Sequence, residues 1–187
     1  KNIPRLVSEF ISLTAQDVML LIVGSAMGDE DVAADCRSVA GEDRRVRFDF
    51  RHVPDDLLLK YIAACNIAVL PYREVLNSGS VLMALSAHRP VIAPRIGSIA
   101  EIAGRVGASW MRCYDGDFTA SVLIDAMGKP LPEMPGPDLK PYDWLEIARG
   151  TVDFYRSLRE ETHPQRNRKR YKTTGIISSE PSHPNDV

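Results

Sequence analysis

The sequence has 187 residues and begins with Lys1. At about 150 residues per domain, this length suits one domain, with or without a tail. Apolar residues make up 44% of the chain, which excludes disorder throughout, and the formal net charge of −2 removes the electrostatic argument for a dedicated nucleic-acid-binding protein. No apolar run approaches the roughly 20 residues that a membrane-spanning helix needs.

The three cysteines, Cys36, Cys65 and Cys113, are far apart, and none has the spacing of a metal site. They indicate buried or half-buried thiols in a reducing compartment.

Helices and strands alternate along the first 130 residues. Helical spacing over 2–14 is followed by the apolar run 18–23, which ends at Gly24 and is typical of a strand buried on both faces. Further strands are predicted at 45–50, 67–70, 90–94 and 108–111. Further helices are predicted at 29–40, 54–65, 79–87, 97–103 and 118–127. The alternation predicts an α/β fold: a doubly wound, Rossmann-like parallel sheet of about five to six strands with helices on both faces.

The last third of the chain has a different composition. Residues 129–141 hold five of the 13 prolines and are predicted to form an extended connector. A long helix is predicted at 142–159, so that the domain spans residues 1–160. Residues 161–187 lack periodicity and are predicted to form a disordered tail. Its basic run, 166–172, leaves two interpretations open: a solvated tail, or contact with an anionic membrane.

Ligands of such folds bind at the carboxyl ends of the strands, where the connections switch direction. One loop there is Gly24-Ser25-Ala26-Met27-Gly28, whose glycines let the backbone approach a ligand. Its spacing is neither the dinucleotide-binding nor the Walker A pattern, so a plain strand-to-helix turn is the favoured interpretation of this loop alone.

The loop before the helix predicted at 79–87 is more informative. Asn77 and Ser78 are good N-cap residues, and Gly79 and Ser80 begin the helix. The first N–H groups of this helix would face the strand ends, where they could hold a phosphate or diphosphate. Glu74, just before, is a carboxylate placed to accept hydrogen bonds from hydroxyls. Capping alone is the alternative interpretation.

At these residues the sequence resembles a known family. The stretch LPYREVLNSGSVLMALSAHRPVIAPRIGSIAEI, residues 70–102, is similar to the donor-binding core of GT-B-fold, nucleotide-sugar-dependent glycosyltransferases of the group 1 type (family 4-like, retaining). KNIPRLVSEF, LLIVGSA, VRFDFRHVPDDLLLKYIAACNIAVLP and YDWLEIARGTVDFYRSL resemble further family segments in the same order. The resemblance covers residues 1–160.

The resemblance assigns roles around the donor diphosphate and sugar. Lys1 matches the lysine that contacts the diphosphate, although the arginine that usually precedes it lies outside this sequence. Glu74 matches the first glutamate of a paired-glutamate motif, which contacts hydroxyls of the transferred sugar. These two are the predicted catalytic residues. Residues Asn77 to Ser80 match the helix N-terminus at the diphosphate.

The resemblance also predicts the nucleotide side of the site. Gly24, with Ser25 beside it, matches the glycine whose close approach makes room for the donor. Arg51, His52 and Val53 match the segment whose backbone reads the nucleobase.

Two positions depart from the family pattern. Met83 replaces the second glutamate, which usually binds ribose hydroxyls, and a thioether cannot accept a strong hydrogen bond. The favoured interpretation of Met83 is plain helix core. His88 replaces the glycine before the Pro-Val pair.

The implied activity is retaining transfer of a sugar from a nucleoside diphosphate to an acceptor hydroxyl, in bacterial exopolysaccharide or lipid-linked glycan synthesis. The resemblance implies that no metal or other cofactor is needed. Asp115-Gly116-Asp117 has the spelling of a DxD motif but is interpreted as the N-cap of the helix that follows it. The alternatives are a GT-B-like nucleotide-sugar epimerase and a non-catalytic nucleotide-binding or interaction module.

The resemblance further implies partners and a location. The chain is expected to be the C-terminal part of an enzyme and inactive alone, with the acceptor bound by an N-terminal domain that this sequence lacks. The expected ligands are a nucleotide sugar and a glycan or lipid-linked acceptor, and not a nucleic acid. A cytoplasmic location is expected, with peripheral contact at the inner face of the membrane as an open alternative.

Overall fold

A computed structural model of the protein describes residues 1–25 and 30–162. The chain divides into two compact units, Lys1–Leu139 and Lys140–Val187. The first unit alternates helices and strands: α1 (Ile3–Ile11), β1 (Leu20–Val23), α2 (Glu30–Ala40), β2 (Val46–Asp49), α3 (Asp55–Ala64), β3 (Ala68–Val69), α4 (Gly79–Ser86), β4 (Val91–Pro94), α5 (Gly97–Val106), β5 (Met111–Tyr114) and α6 (Ala120–Met127).

Every strand pair in the described residues is parallel, which confirms the predicted α/β class with flanking helices. The strands form two small sheets, β1-β2 and β3-β4-β5, where a single larger sheet was predicted. β3 has only two residues, Ala68 and Val69, and both pair with β4. Pro71, two residues further on, has no N–H to extend a ladder. The short β3 explains why hydrogen bonding does not continue across the whole set of strands.

One hydrophobic cluster joins the two sheets. The inner face of α1 contributes Leu6, Val7 and Phe10, all buried, in the spacing of an amphipathic helix. Leu20 and Ile22 of β1 pack in the same cluster as Ile92 of β4. The shared core therefore fixes the strand ends of both sheets relative to α1.

The last strand of the first unit begins three residues later than predicted. The prediction of a strand at 108–111 was wrong because residues 107–110 form a turn, in which the N–H groups of Trp110 and Met111 both donate to the Gly107 carbonyl. The strand instead follows the register of β4, with Val91 opposite Met111 and Pro94 opposite Tyr114.

The start of α6 is capped from a distant helix. Thr119 is the N-cap residue and makes no side-chain cap hydrogen bond, while Glu9 Oε2 of α1 accepts from the Ala120 N–H at 2.7 Å. The predicted N-cap role of residues 115–117 was therefore wrong: a long-range carboxylate supplies the acceptor that favours a helix N-terminus.

Arg45 connects the end of α1 to the start of β2. Its guanidinium donates to the carbonyls of Ile11, Leu13 and Ala15 at 2.7–3.0 Å, and it forms an ion pair with Asp43 at 2.6 Å. The Arg45 guanidinium also lies over the Phe10 ring. These carbonyls at the end of α1 are thus satisfied by one side chain.

The second unit holds a short 3-10 helix, Lys140–Tyr142, and α7 (Trp144–Thr162), which confirms the long helix predicted at 142–159. The Asp143 carboxylate accepts from the Leu145 N–H at 2.8 Å and caps α7. The large apolar side chains of α7 are exposed: Trp144, Leu145, Ile147, Val152, Phe154, Tyr155 and Leu158.

The predicted tail beyond Thr162 lies outside the described residues. Among the helices described, none is both long enough and apolar enough to span a membrane.

Candidate functional site

The carboxyl ends of β1 and β2 lie side by side. Val23 is paired with Asp49, and the Gly24 N–H donates to the Asp49 carbonyl at 3.1 Å. Gly24 has φ +135°, which side chains rarely adopt, and a Cβ built there would meet no described atom within 4 Å. Ser25 is exposed beside it. Residues 26–28, the rest of the predicted glycine loop, lie outside the described part of the chain.

Lys1 lies next to the carboxyl end of β3. The Asn2 N–H donates to the Pro71 carbonyl at 3.2 Å, which holds the start of α1 against the residues that follow β3. Lys1 itself is exposed. The predicted diphosphate-binding lysine therefore stands at the strand end from which the loop 72–78 departs.

Ser78 is the N-cap of α4, as predicted. Its side chain is buried, and Oγ accepts from the Val81 N–H at 3.3 Å. The Tyr72 hydroxyl lies 2.9 Å from the same Oγ, so both ends of the loop 72–78 are joined by a hydrogen bond. Gly79 is exposed and Ser80 half-buried at the first turn of α4. The first N–H groups of a helix have no partner within it, and such groups are suited to bind anions. Anion binding by Gly79 and Ser80 stays a prediction.

The loop 72–78 also packs against the start of α5. Gly97 opens α5 with φ +48°, and a Cβ built on it would lie 2.6 Å from the Val75 carbonyl oxygen. The helices α4 and α5 therefore begin at two sides of one loop. Glu74 is exposed on that loop, between Tyr72 and Ser78, and makes no hydrogen bond or ion pair with any residue the structure describes. Asn77 is exposed next to the cap.

A network of three side chains lies at the end of β2. Arg51 Nε donates to both carboxylate oxygens of Asp49, at 2.8 and 3.1 Å, and the Tyr61 hydroxyl of α3 donates to Asp49 Oδ2 at 2.9 Å. These hydrogen bonds, that of Arg51 first, hold the pKa of Asp49 below its usual value. Next to the network His52 is exposed and Val53 is buried.

Asp49 and Tyr61 were missed by sequence reasoning. In the sequence Asp49 is one of the polar residues that alternate with phenylalanines along β2, and Tyr61 is one of the apolar residues of α3. Nothing in either pattern indicates that a hydrogen bond joins them across 12 positions.

The two departures from the family pattern have different surroundings. Met83 is half-buried in α4, which agrees with its interpretation as part of the helix packing. His88 has φ +53°, a conformation that glycine adopts at less cost. The glycine of the family pattern would adopt this backbone at less cost, and the exposed imidazole lies with its ring 6.3 Å from the Trp110 ring.

Metal-ligating groups do not gather in the described residues: no cluster of three or more His, Cys, Asp or Glu side chains occurs among them. Asp115 instead lies 3.6 Å from Arg95, a residue that follows β4. The three cysteines are free thiols, and burial raises the pKa of each.

The structure thus brings the predicted residues to the carboxyl ends of the strands in two groups. One group, Lys1, Glu74 and residues 77–80, lies on or next to the loop 72–78 and comprises a cation, a carboxylate and helix N–H groups. The other, Gly24, Ser25 and residues 51–53, lies at the ends of β1 and β2. Their individual roles toward a donor remain predictions.

An α/β unit of parallel strands flanked by helices agrees with the fold that the family resemblance predicts. The family model described as "Glycosyl transferases group 1" matches residues 1–127, more than half of the chain. The chain therefore belongs to the group 1 glycosyltransferases, as the motifs predicted.

Two curated relatives match the chain. Both are called GDP-mannose:glycolipid 4-beta-D-mannosyltransferase, and both come from Xanthomonas campestris pv. campestris, one from a named strain. Each is 37% identical over 114 residues, which is 60% of this chain and 33% of the relative. The chain thus spans about a third of the length of these relatives. No solved structure gives a significant match.

Proposed function

We propose that this chain is the donor-binding part of a glycosyltransferase that moves a sugar from a nucleoside diphosphate to an acceptor hydroxyl. One observation carries the proposal: the loop 72–78, which presents Glu74, is closed by the Tyr72–Ser78 hydrogen bond directly at the first turn of α4. A diphosphate at that turn would place its sugar beside an exposed carboxylate that has no partner among the described residues.

For the donor we propose GDP-mannose and for the acceptor a glycolipid, in bacterial exopolysaccharide or lipid-linked glycan synthesis. Support comes from the names of the two relatives, which state both substrates. The chain spans about a third of the length of these relatives. The mannosyltransferase activity is therefore proposed for the complete enzyme of which this chain is a part. An acceptor-binding domain outside this sequence completes the cleft.

The proposed chemistry depends on stabilising the departing diphosphate. Lys1 supplies a cation beside Pro71, and Gly79 and Ser80 supply backbone N–H groups with the positive end of the α4 dipole. Donors fixed before the reaction at the place where negative charge develops commonly supply the largest catalytic contribution. Glu74 would hold hydroxyls of the transferred sugar. We propose that no metal takes part, so that activity of the complete enzyme is unchanged by a chelator.

Two stereochemical outcomes are candidates. The family resemblance predicts retention of the anomeric configuration, and we keep retention as the proposal. The relatives' name specifies a β-mannosyl product, and a β product formed from an α-linked sugar nucleotide is the result of inversion. The anomeric configuration of the product, read by NMR after the complete enzyme has used a donor of known configuration, separates the two.

A peripheral membrane location follows from the glycolipid acceptor. We propose a cytoplasmic protein whose basic run 166–172 contacts the anionic inner face of the membrane, since clustered lysines and arginines attract such surfaces. Binding of the chain to vesicles of phosphatidylcholine with and without phosphatidylglycerol tests this. The membrane contact would be contradicted if the chain sedimented equally with both kinds of vesicle, or if it sedimented with neither kind.

The role of Glu74 gives the most specific test of the donor site. In calorimetric titrations, Glu74→Ala is expected to weaken binding of GDP-mannose about 10-fold and to leave binding of GDP nearly unchanged. Glu133→Ala, at an exposed position on the connector, is the matched control and should change neither affinity. Equal losses for the sugar nucleotide and the nucleotide would contradict the sugar-binding role of Glu74.

A further inference from the structure

The anchored guanidinium of Arg51 is an unassigned feature of the nucleotide side of the site. The Arg51 side chain is 62% exposed, yet its Nε is bound to both oxygens of Asp49. The hydrogen bonds to Asp49 use Nε, and the Tyr61 hydroxyl also interacts with the guanidinium. Nη1 and Nη2, the fork at the end of the guanidinium, have no hydrogen bond to Asp49, and they are the donors that a ligand would meet. An exposed arginine whose inner nitrogen is fixed loses less side-chain entropy when its outer nitrogens bind.

The anchor itself is fixed from a neighbouring helix. The Tyr61 hydroxyl of α3 donates to Asp49 Oδ2 at 2.9 Å, so the carboxylate is held from two directions. The Asp49 main chain is also fixed, since its carbonyl accepts from the Gly24 N–H. The guanidinium of Arg51 is therefore bound to a carboxylate whose side chain and main chain are both held, at the end of β2, which pairs with β1.

We propose that Arg51 selects guanine by donating from Nη1 and Nη2 to O6 and N7 of the base, with Asp49 and Tyr61 as the residues that position it. This inference rests on the proposed function, because it places the base of the donor at the end of β2. An arginine fork matches two adjacent acceptors, which guanine presents on that edge. Adenine offers N7 beside an amino donor at C6, and uracil has a single acceptor, O4, on the corresponding edge.

Four nucleoside diphosphates test which edge of the base is read. Calorimetric titration of the chain should give similar dissociation constants for GDP and IDP, because inosine keeps O6 and N7 and lacks only the 2-amino group. ADP should bind at least about 10-fold more weakly than GDP. 7-Deaza-GDP, which lacks N7, should bind with an affinity between those of GDP and ADP.

Variants test which residue does the reading. Arg51→Lys should weaken the binding of GDP about 10-fold and bring the GDP and ADP affinities close together. The reason is that an ammonium group cannot form the bidentate pair. Tyr61→Phe should reduce the preference for GDP partially, with Arg51 still present. Arg47→Lys, at an exposed position of β2 before the strand end, is the control and should change neither affinity. Thermal unfolding of each variant establishes that it is folded.

The outcomes separate this inference from the proposed function. Binding of GDP and ADP with equal affinity, or a preference for GDP that survives Arg51→Lys, would overturn the role of Arg51 and leave donor binding intact. The role of Arg51 would also be overturned if IDP bound much more weakly than GDP and Asp49→Asn abolished that difference in affinity. The Asp49 carboxylate would then be the group that reads N1 and the 2-amino group of guanine. Failure of all four nucleotides to bind would overturn the proposed function itself, and this inference with it.

Discussion

The carbonyl oxygen of Val75 occupies the space in which a side chain on Gly97 would stand: a Cβ built there would lie 2.6 Å from it. The start of α5 and the loop that presents Glu74 are therefore in direct backbone contact. We expect Gly97→Ala to destabilise the fold by more than the roughly 1–2 kcal/mol that a left-handed backbone costs a side chain, because the loop must also move. Donor binding should fall with it.

Gly41 offers a matched control for this prediction. It has φ +54°, close to that of Gly97, and a Cβ on it would meet nothing within 4 Å. Gly41→Ala should therefore carry the backbone cost alone and leave nucleotide affinity unchanged. Urea denaturation and calorimetric titration of both variants check this. Equal destabilisation, with equal nucleotide affinity, would show that the loop does not depend on Gly97.

The Tyr72–Ser78 hydrogen bond predicts a coupled pair of variants. Ser78→Ala removes the N-cap of α4 and should cost about 1 kcal/mol of unfolding free energy. Tyr72→Phe should cost less, and the double variant should cost less than the sum, because the two share one interaction. Ser86→Ala at the exposed end of α4 should change stability by no more than about 0.5 kcal/mol. Strict additivity of the two changes would contradict the closed loop.

The Asp43–Arg45 pair predicts a loss of stability in acid. The hydrogen bonds from Arg45 hold the pKa of Asp43 below its usual value. A lowered pKa in the folded state means that the stabilisation is present above the unfolded value of about 3.9 and is lost as the pH falls through the folded value. Asp43→Asn should therefore flatten the decline of melting temperature below about pH 4. Asp31→Asn on α2 is the control for net charge. If the melting temperature of Asp43→Asn fell with pH as steeply as that of the unaltered protein, the prediction would be contradicted.

Arg112 predicts a large effect from one buried cation. It is buried on β5 and donates to the carbonyls of Ala126, at the end of α6, and of Pro130, at the start of the connector. Arg112→Ala should lower the unfolding free energy by about 2–3 kcal/mol, since hydrogen bonds from charged donors are worth about 1.5–3 kcal/mol. Arg156→Ala, exposed on α7, should have little effect. Similar urea midpoints for both variants would show that the two bonds contribute little.

The sequence predicted what local patterns encode and missed what depends on distant partners. Apolar periodicity placed the helices and strands in the right order, and Ser78 was recognised as a cap because its position relative to Gly79 is a local feature. The boundaries of β5 follow from pairing with β4, and the α6 cap comes from Glu9, 111 residues away. The residues next to β5 and α6 in the sequence therefore do not indicate either feature.

The candidate site divides in the same way. Lys1, Gly24 and Glu74 were predicted from motifs that a family shares, and their roles stay predictions. The anchoring of Arg51 by Asp49 and Tyr61 depends on how α3 lies beside β2, which no motif contains. The contact of Gly97 with Val75 likewise joins a helix start to a loop about 20 residues earlier, and only the fold shows it.

Thermal unfolding of the chain in the presence of nucleotides tests the central claim, that the chain binds a nucleoside diphosphate, most directly. A ligand at 100 times its dissociation constant adds about 2.7 kcal/mol to the unfolding free energy, which for a domain of this size raises the melting temperature by roughly 5–10 °C. We expect such a rise with GDP and a smaller one with ADP at the same concentration. An unchanged melting temperature with GDP, UDP and ADP at millimolar concentration, together with no heat of binding, would contradict the donor-binding function.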